Sequence, residues 1–213
     1  MSRILVVAAS SKEVASLVTT LRADPEIDVL ITGVGMVATA ARCSQALSRT
    51  SYQLALNFGV CGSFDPELTP GTVVHVVKDR LSELGAEDGE AFLTIQQMRL
   101  LGDDEFPFTG GELVNAAPPM NAALSRLPAV NGITVNTVHG KVQSIAAVET
   151  RFRPRVESME GAAFMYACLI HDVPFAQVRA VSNIVERRNR DAWQLAEAID
   201  SLNAAARSIL DHQ

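Results

Sequence analysis

The feature that most narrows the fold is a series of short, unbroken apolar runs separated by segments of helical period. The first run is RILVVAA, residues 3–9. A strand with one wet face alternates apolar and polar residues. A run with no polar position is covered on both faces, as inside a mostly parallel sheet. Through Ser10 and Ser11, expected N-caps, it leads into KEVASLVTTLRA, where Val14, Leu17, Val18 and Leu21 recur at helical spacing. DVLITGVG (28–35) and YQLALNFGVCGSF (52–64) are further strands, with the helix MVATAARCSQALSR (36–49) between them. PGTVVHVVKDRL (70–81) follows a Pro-Gly turn signal as a fourth. After an irregular, polar stretch (82–115), expected as loop and short strand pieces, come a short helix AALSRL (122–127) and a strand GITVNTVHG (132–140). A helix SMEGAAFMYACLIHD (158–172), a strand VPFAQVRAVSN (173–183) and an amphipathic helix (192–212) close the chain. Such alternation predicts an α/β fold, a three-layer α/β/α sandwich around a mixed, mostly parallel sheet. With 213 residues and no repeat or linker, one domain over 1–213 is expected.

Charge and cysteine content exclude several functions. A net charge of −6 argues against nucleic acid or an anionic membrane as partner. Arg187, Arg188 and Arg190 are interleaved with acids and Asn, so they form no polybasic tract. No run reaches the ~18 apolar residues of a membrane span, no leader pattern opens the chain, and a cytoplasmic location is expected. Cys43, Cys61 and Cys168 are odd in number and set among apolar residues, which reads as small reduced core side chains. His75, His139, His171 and His212 have no metal-ligand spacing, so no metal and no cofactor are expected.

Several motifs sit where strands end. Residues 33–38, GVGMVA, match the dinucleotide-binding G-x-G-x-x-A, but no acid for the ribose lies in SYQLALNFG (51–59), about 20 positions on. The turn is then either a tight strand-to-helix connection or a backbone wall of some other site. Glu13 is either a surface glutamate favoured by the helix dipole or a carboxylate facing the crevice at the strand ends. Glu160 precedes Gly161, Ala162 and Ala163, small residues that let a helix pack close to a sheet, while Glu157 reads as a solvated cap partner. Ser63 follows Gly62 without a G-x-S-x-G elbow, which sets acyl transfer aside.

Three segments, ILVVAASSKEV, NFGVCGSF and SMEGAAF…VPFAQVRAVSN, together resemble the nucleoside phosphorylase and nucleosidase superfamily, and the likeness spans nearly the whole chain. Within it, SMEGAA and AVSNIVERRNRDAW look most like the futalosine hydrolases, which remove hypoxanthine from futalosine on an alternative route to menaquinone. The resemblance implies a nucleoside phosphorylase-like fold and a small purine nucleoside as partner. It also implies a homo-oligomer, a dimer or higher, with the helix after Gly35 as a contact face. By position it makes Glu13 the activator of the attacking water and Glu160 the carboxylate on the ribose hydroxyls, with Met159 against the sugar. Arg179 and Ser182 support that carboxylate and the strand-end site. Gly59 and Val60, in the glycine turn NFGVCG, line base and ribose, and Val142 and Gln143 are candidates for the purine pocket.

Two departures carry chemistry. Phosphate-using members have an arginine where this chain has Asn57, so a phosphate dianion would lack its charge-assisted partners and water is the expected nucleophile. Adenine-cleaving relatives have an aspartic acid where this chain has Asn183. An amide cannot deliver a proton, and losing a positioned acid costs about 10²- to 10⁴-fold. Hypoxanthine, the better leaving group, tolerates that loss, so a 6-oxopurine nucleoside is expected. Adenine nucleosides and a non-catalytic nucleoside-binding role are the alternatives. Arg187, Arg188 or Arg190 could pair with the benzoate of futalosine or simply form a solvated cluster. Trp193 could shield that aromatic tail or anchor the last helix.

Overall fold

The computed structural model describes residues 3–211, so His212 lies outside the described residues. β1 (Arg3–Ala8), β2 (Ile27–Ile31) and the long β3 (Tyr52–Ser63) run parallel, with β1 central. α1 (Ala15–Ala23) and α2 (Met36–Arg49) connect them. β4 (Val73–Asp79) is followed by a separate hairpin of β5 (Gly85–Asp88) and β6 (Ala91–Thr94), then by the two-residue β7 (Leu113–Val114) on the edge of β4. β8 (Ala129–Thr134), α3 (Val142–Phe152), β9 (Val156–Ser158), α4 (Gly161–Ile170), β10 (Phe175–Ile184) and α5 (Leu195–Leu210) complete the order.

The strand order is β10-β4-β8-β9-β3-β1-β2, and β10 also pairs with β3. The sheet therefore closes on itself through β3, β10, β4, β8 and β9. The pairings β10–β4, β3–β9 and β4–β7 are antiparallel and the others parallel, a mixed and mostly parallel sheet. β3 is long enough to change neighbour: up to Asn57 it pairs with β1, and at Gly62–Ser63 with β9.

Alternation along β1 explains the layers. Ile4, Val6 and Ala8 pack with Leu17 and Leu21 of α1 and with Ala198, Leu202 and Ala206 of α5. Leu5 and Val7 point the other way, to Cys43 and Leu47 of α2 and to Phe164 and Met165 of α4. Successive side chains of a strand face opposite sides, so one apolar run feeds two cores and needs a helix layer on each. Cys43, Cys61 and Cys168 are all free and buried. Among the described residues no helix is long and apolar enough to cross a membrane.

Three local expectations are revised. Helix α1 starts at Ala15, and Val14, its N-cap, makes no side-chain cap bond. Neither Ser10 nor Ser11 caps it, because the Ser10 amide and hydroxyl both donate to Glu13 Oε2 instead, at 2.8 and 3.2 Å. AALSRL forms a single 3-10 turn, Leu124–Arg126. In the segment 140–156, read without an element, α3 buries Val148 and ends on Arg153 at φ 46°, where Pro154 stops it.

Candidate active site

Open α/β sheets bind ligands beyond the carboxyl ends of their strands. Here a cavity of about 230 Å³ opens past β1, β3 and β10. Ala9, Ser10 and Glu13 after β1, Val60–Gly62 in β3, Ser182 and Asn183 in β10, Glu157 and Ser158 in β9, and Met159 and Glu160 between β9 and α4 line it. Val34, Val138, Trp193 and Leu195 complete the wall. A larger hollow, about 600 Å³, lies between the β5–β6 hairpin and α3, with His139 on its wall.

Glu13 is buried at 8% exposure. Oε2 is held by Ser10, and Oε1 accepts from the Val60 amide at 3.3 Å. These bonds turn the carboxylate inward, so it is neither in the first helical turn nor on the surface. Glu160, 5% exposed, stands at the N-cap of α4, and its Oε1 accepts from the Gly35 amide at 2.9 Å. Gly35 adopts φ 99°, a backbone conformation that favours glycine. The G-x-G turn thus fixes a protein carboxylate. Burial raises the Glu160 pKa; the Arg179 charge and the Gly35 amide pull it down, and the nearby Glu13 charge adds to the rise.

Arg179 lies behind the cavity wall, fully buried. It is paired in register with Gly59, and a Cβ on Gly59 would stand 1.9 Å from Arg179 Nη1. The missing side chain at Gly59 is what lets the guanidinium cross β3. Nη2 donates to Asn57 Oδ1, while Nε and Nη1 have no hydrogen-bond partner among the described residues. Arg179 therefore acts on Glu160 through its charge. Asn57 accepts from Arg179 and donates to the Val7 carbonyl at 3.1 Å, which fixes its amide inside the sheet.

Ser182 and Asn183 are sequence neighbours, which a regular strand would aim to opposite faces. Both line the cavity because β10 has an extra residue here: Val181 pairs with Cys61 and Asn183 with Gly62. Such a bulge re-aims side chains. The Ser182 hydroxyl lies 2.8 Å from Asn183 Oδ1 and 3.1 Å from the Cys61 carbonyl, and Asn183 Nδ2 donates to the Ile184 carbonyl at 2.9 Å. One Nδ2 hydrogen and one Oδ1 lone pair remain for a ligand.

The cavity thus brings together Glu13, Val60, Met159, Glu160, Ser182 and Asn183, with Gly59 and Arg179 directly behind. Val142 and Gln143 are not there. They begin α3, both exposed, because the buried side of that helix is set by Val148. Glu157 is a correction: it is buried at 4% exposure, lines the cavity, and takes the His139 amide on Oε1 (3.1 Å) and His139 Nδ1 on Oε2 (2.6 Å). A three-residue strand such as β9 has too little pattern to show which side it buries. Trp193 lines the cavity and carries Arg188 over its ring at 5.6 Å, and Arg187, Arg188 and Arg190 are all exposed. Among the described residues no three His, Cys, Asp or Glu side chains cluster as metal ligands. Burial depresses the His75 pKa to about 4, so that histidine is a neutral core residue.

Residues 13–211 match the family model of the phosphorylase superfamily. The chain belongs to this superfamily. Curated members similar to it include futalosine hydrolase of Streptomyces coelicolor, 32% identical over 186 residues, covering 84% of this chain and 76% of that protein. Futalosine hydrolase of Thermus thermophilus is 30% identical over 188 residues, covering 85% and 80%. The 5′-methylthioadenosine/S-adenosylhomocysteine nucleosidase of Haemophilus ducreyi is 27% identical over 173 residues, covering 76% and 68%. Among solved structures, that nucleosidase from Neisseria meningitidis superposes with TM-score 0.82 at 13% identity over the whole of both chains. Futalosine hydrolase of Helicobacter pylori gives 0.75 at 14%, covering 100% and 98%. These two establish the superfamily's fold for this chain.

Proposed function

We propose that this phosphorylase-superfamily chain hydrolyses the N-glycosidic bond of a 6-oxopurine nucleoside, with futalosine as substrate and hypoxanthine as the released base. The observation that carries the reading is the convergence of Glu13, Glu160 and Asn183 on one cavity past the strand ends. N-glycosidic cleavage builds positive charge on the sugar and negative charge on the departing base, in the manner of glycoside hydrolysis. Glu13, oriented by Ser10 and the Val60 amide, takes the proton of the attacking water. Glu160, anchored by Gly35, holds the ribose hydroxyls and offsets the charge on the ring. Asn183 donates to O6 and accepts from N7–H once solvent has protonated N7.

Water rather than phosphate is the nucleophile because the position that would carry an anion-binding arginine is Asn57, already committed to Arg179 and Val7. Kinship with futalosine hydrolases at 30–32% identity favours futalosine over smaller nucleosides and would place the chain on the alternative route to menaquinone. Val34 and Val37, exposed apolar residues beside the cavity mouth and at the start of α2, fit a homo-oligomer that covers this side. Purified protein incubated with futalosine, inosine and methylthioadenosine, with and without phosphate, is expected to release hypoxanthine from futalosine in both conditions. Adenine release alone, or strict phosphate dependence, refutes the reading. Glu13→Gln is expected to cost about 10²- to 10⁴-fold in kcat, and unchanged turnover removes the water-activation role.

A further inference from the structure

The buried face of α5 carries one residue that hydrophobicity does not explain. Ala198, Leu202, Ala206 and Ile209 turn that face into the core, and Asn203, only 2% exposed, stands among them. Burying an amide is costly unless it is hydrogen-bonded, and Asn is a poor helix former. The partners of Asn203 therefore show what it does. Nδ2 donates to the Glu13 main-chain carbonyl at 2.9 Å and to the Ile199 carbonyl, one turn back, at 2.6 Å. Oδ1 accepts from the Ser16 hydroxyl at 2.9 Å, and that hydroxyl in turn accepts from Arg207 Nη2 at 3.1 Å. Carbonyls only accept, so the nitrogen end must face Glu13 and Ile199, and the carboxamide has one orientation.

The segment that Asn203 reaches has little else to hold its main chain. Glu13 lies in a run of turns between β1 and α1, and its amide makes a long bond to the Ser10 carbonyl, 3.3 Å. Helix α1 does not use the Glu13 carbonyl: the Leu17 and Val18 amides both bond to Val14 instead, at 2.9 Å. Nor does Val14, the N-cap, make a side-chain cap bond that would fix where the helix begins. Glu13 is thus tied on two sides, by its carboxylate to the Ser10 and Val60 amides at the cavity and by its carbonyl to Asn203 in the helix layer. Releasing the carbonyl frees the turn to shift, and the carboxylate shifts with it.

We infer that Asn203, 190 positions along the chain from Glu13, is a positioning residue for water activation: it fixes the Glu13 main chain so that the carboxylate stands where the attacking water is held. The role of Glu13 rests on the proposed function, but the anchoring can be read without turnover. Misplacing a reacting group by about 1 Å costs on the order of 10²-fold. Asn203→Leu, of similar size and suited to the apolar face, is therefore expected to lower kcat about 10- to 100-fold. KM should change little, because Glu160 and Asn183, which meet the substrate, are untouched. In the same variant, hydrogen exchange at the Ser10 and Val60 amides, donors to the Glu13 carboxylate, should accelerate while the amides of β1 keep their wild-type rates. Ser16→Ala leaves the Asn203–Glu13 bond in place and should keep kcat near the wild-type value. Unchanged kcat in Asn203→Leu overturns the assignment. So does an equal loss in Ser16→Ala, since the effect would then follow the docking of α1 on α5 rather than the Glu13 carbonyl. Should Asn203→Leu not fold, Asn203→Ala, which favours the helix and admits water to the two carbonyls, is read by the same measurements. A wild type that releases no base from futalosine or inosine refutes the hydrolase reading, and exchange at Ser10 and Val60 then decides: faster exchange in the variant upholds the anchor and unchanged exchange removes it. Base release with kcat and exchange both unaltered in the variant leaves the hydrolase reading standing and takes the role from Asn203.

Discussion

Replacing Asp79 by Asn is expected to stabilise the protein, increasingly so as the pH rises. Asp79 is 1% exposed at the end of β4, beneath the start of α4. Its Oδ1 accepts from Thr134 Oγ1 (3.0 Å) and the Arg80 amide (2.8 Å), and its Oδ2 from Gln177 Nε2 (3.0 Å). Burial outweighs those bonds and the Arg179 charge, and pushes the pKa from the ordinary 3.8 up to about 6. The native state thus holds this proton more tightly than the unfolded chain. Stability from this group is greatest below the unfolded value and is lost as pH rises through about 6. A difference of roughly 2 pKa units, at about 1.4 kcal/mol each, is about 3 kcal/mol. The carboxamide of the Asp79→Asn variant is neutral at every pH. It can keep the Thr134 and Arg80 bonds on its oxygen, and its NH₂ group can donate to Gln177 Oε1, an atom without a partner among the described residues of the wild type, once the Gln177 amide turns over. Urea denaturation of wild type and Asp79→Asn from about pH 4 to pH 8 is the assay. The stability difference should grow by about 3 kcal/mol across that range, most of it by about pH 6.5. A difference flat with pH, or one favouring the wild type at high pH, refutes the reasoning.

Gly161→Ala would ordinarily stabilise a helix by up to about 1 kcal/mol. Here its Cβ would stand 2.0 Å from Gln177 Nε2 and 2.3 Å from Asp79 Oδ2, so overpacking and a broken buried bond should reverse the sign to a loss of about 2–5 kcal/mol; an unchanged or raised melting temperature contradicts this. Because burial raises the Glu160 pKa while Arg179 lowers it, kcat/KM should fall on the acid side, and Arg179→Met should move that limb to higher pH; a limb that stays put or moves down removes the electrostatic role. Burial pushes the Cys61 thiol up to about 12, so alkylation by iodoacetamide in the native protein should be negligible at neutral pH, and rapid labelling would contradict the cavity wall described above.

The strands and most helices were legible because unbroken apolar runs and helical periodicity are properties of the chain itself. RILVVAA carries the mark of a doubly covered strand and forms one, and α2 occupies the span its pattern marks, Met36–Arg49. α3 was missed, although Ile145 and Val148 are three apart, because only Val148 of that helix is buried and the signal is thin. Glu13 and Glu160 were legible through family motifs at strand ends, while Glu157 was misread because burial of a charge on so short a strand has no local mark.

By itself the sequence determined the alternation of strands and helices, and with it the two-sided sheet and the ends at which a ligand site belongs. It also placed an amide, not an acid, at position 183, a fact of covalent chemistry that no packing can alter. Tertiary structure alone decided which groups meet. The change of partner along β3 sets Glu157 beside Gly62, and the extra residue in β10 turns Asn183 into the same cavity. The Gly35 amide reaches Glu160 across 125 residues. Such contacts depend on register and closure between distant strands, and local propensity carries no information about either.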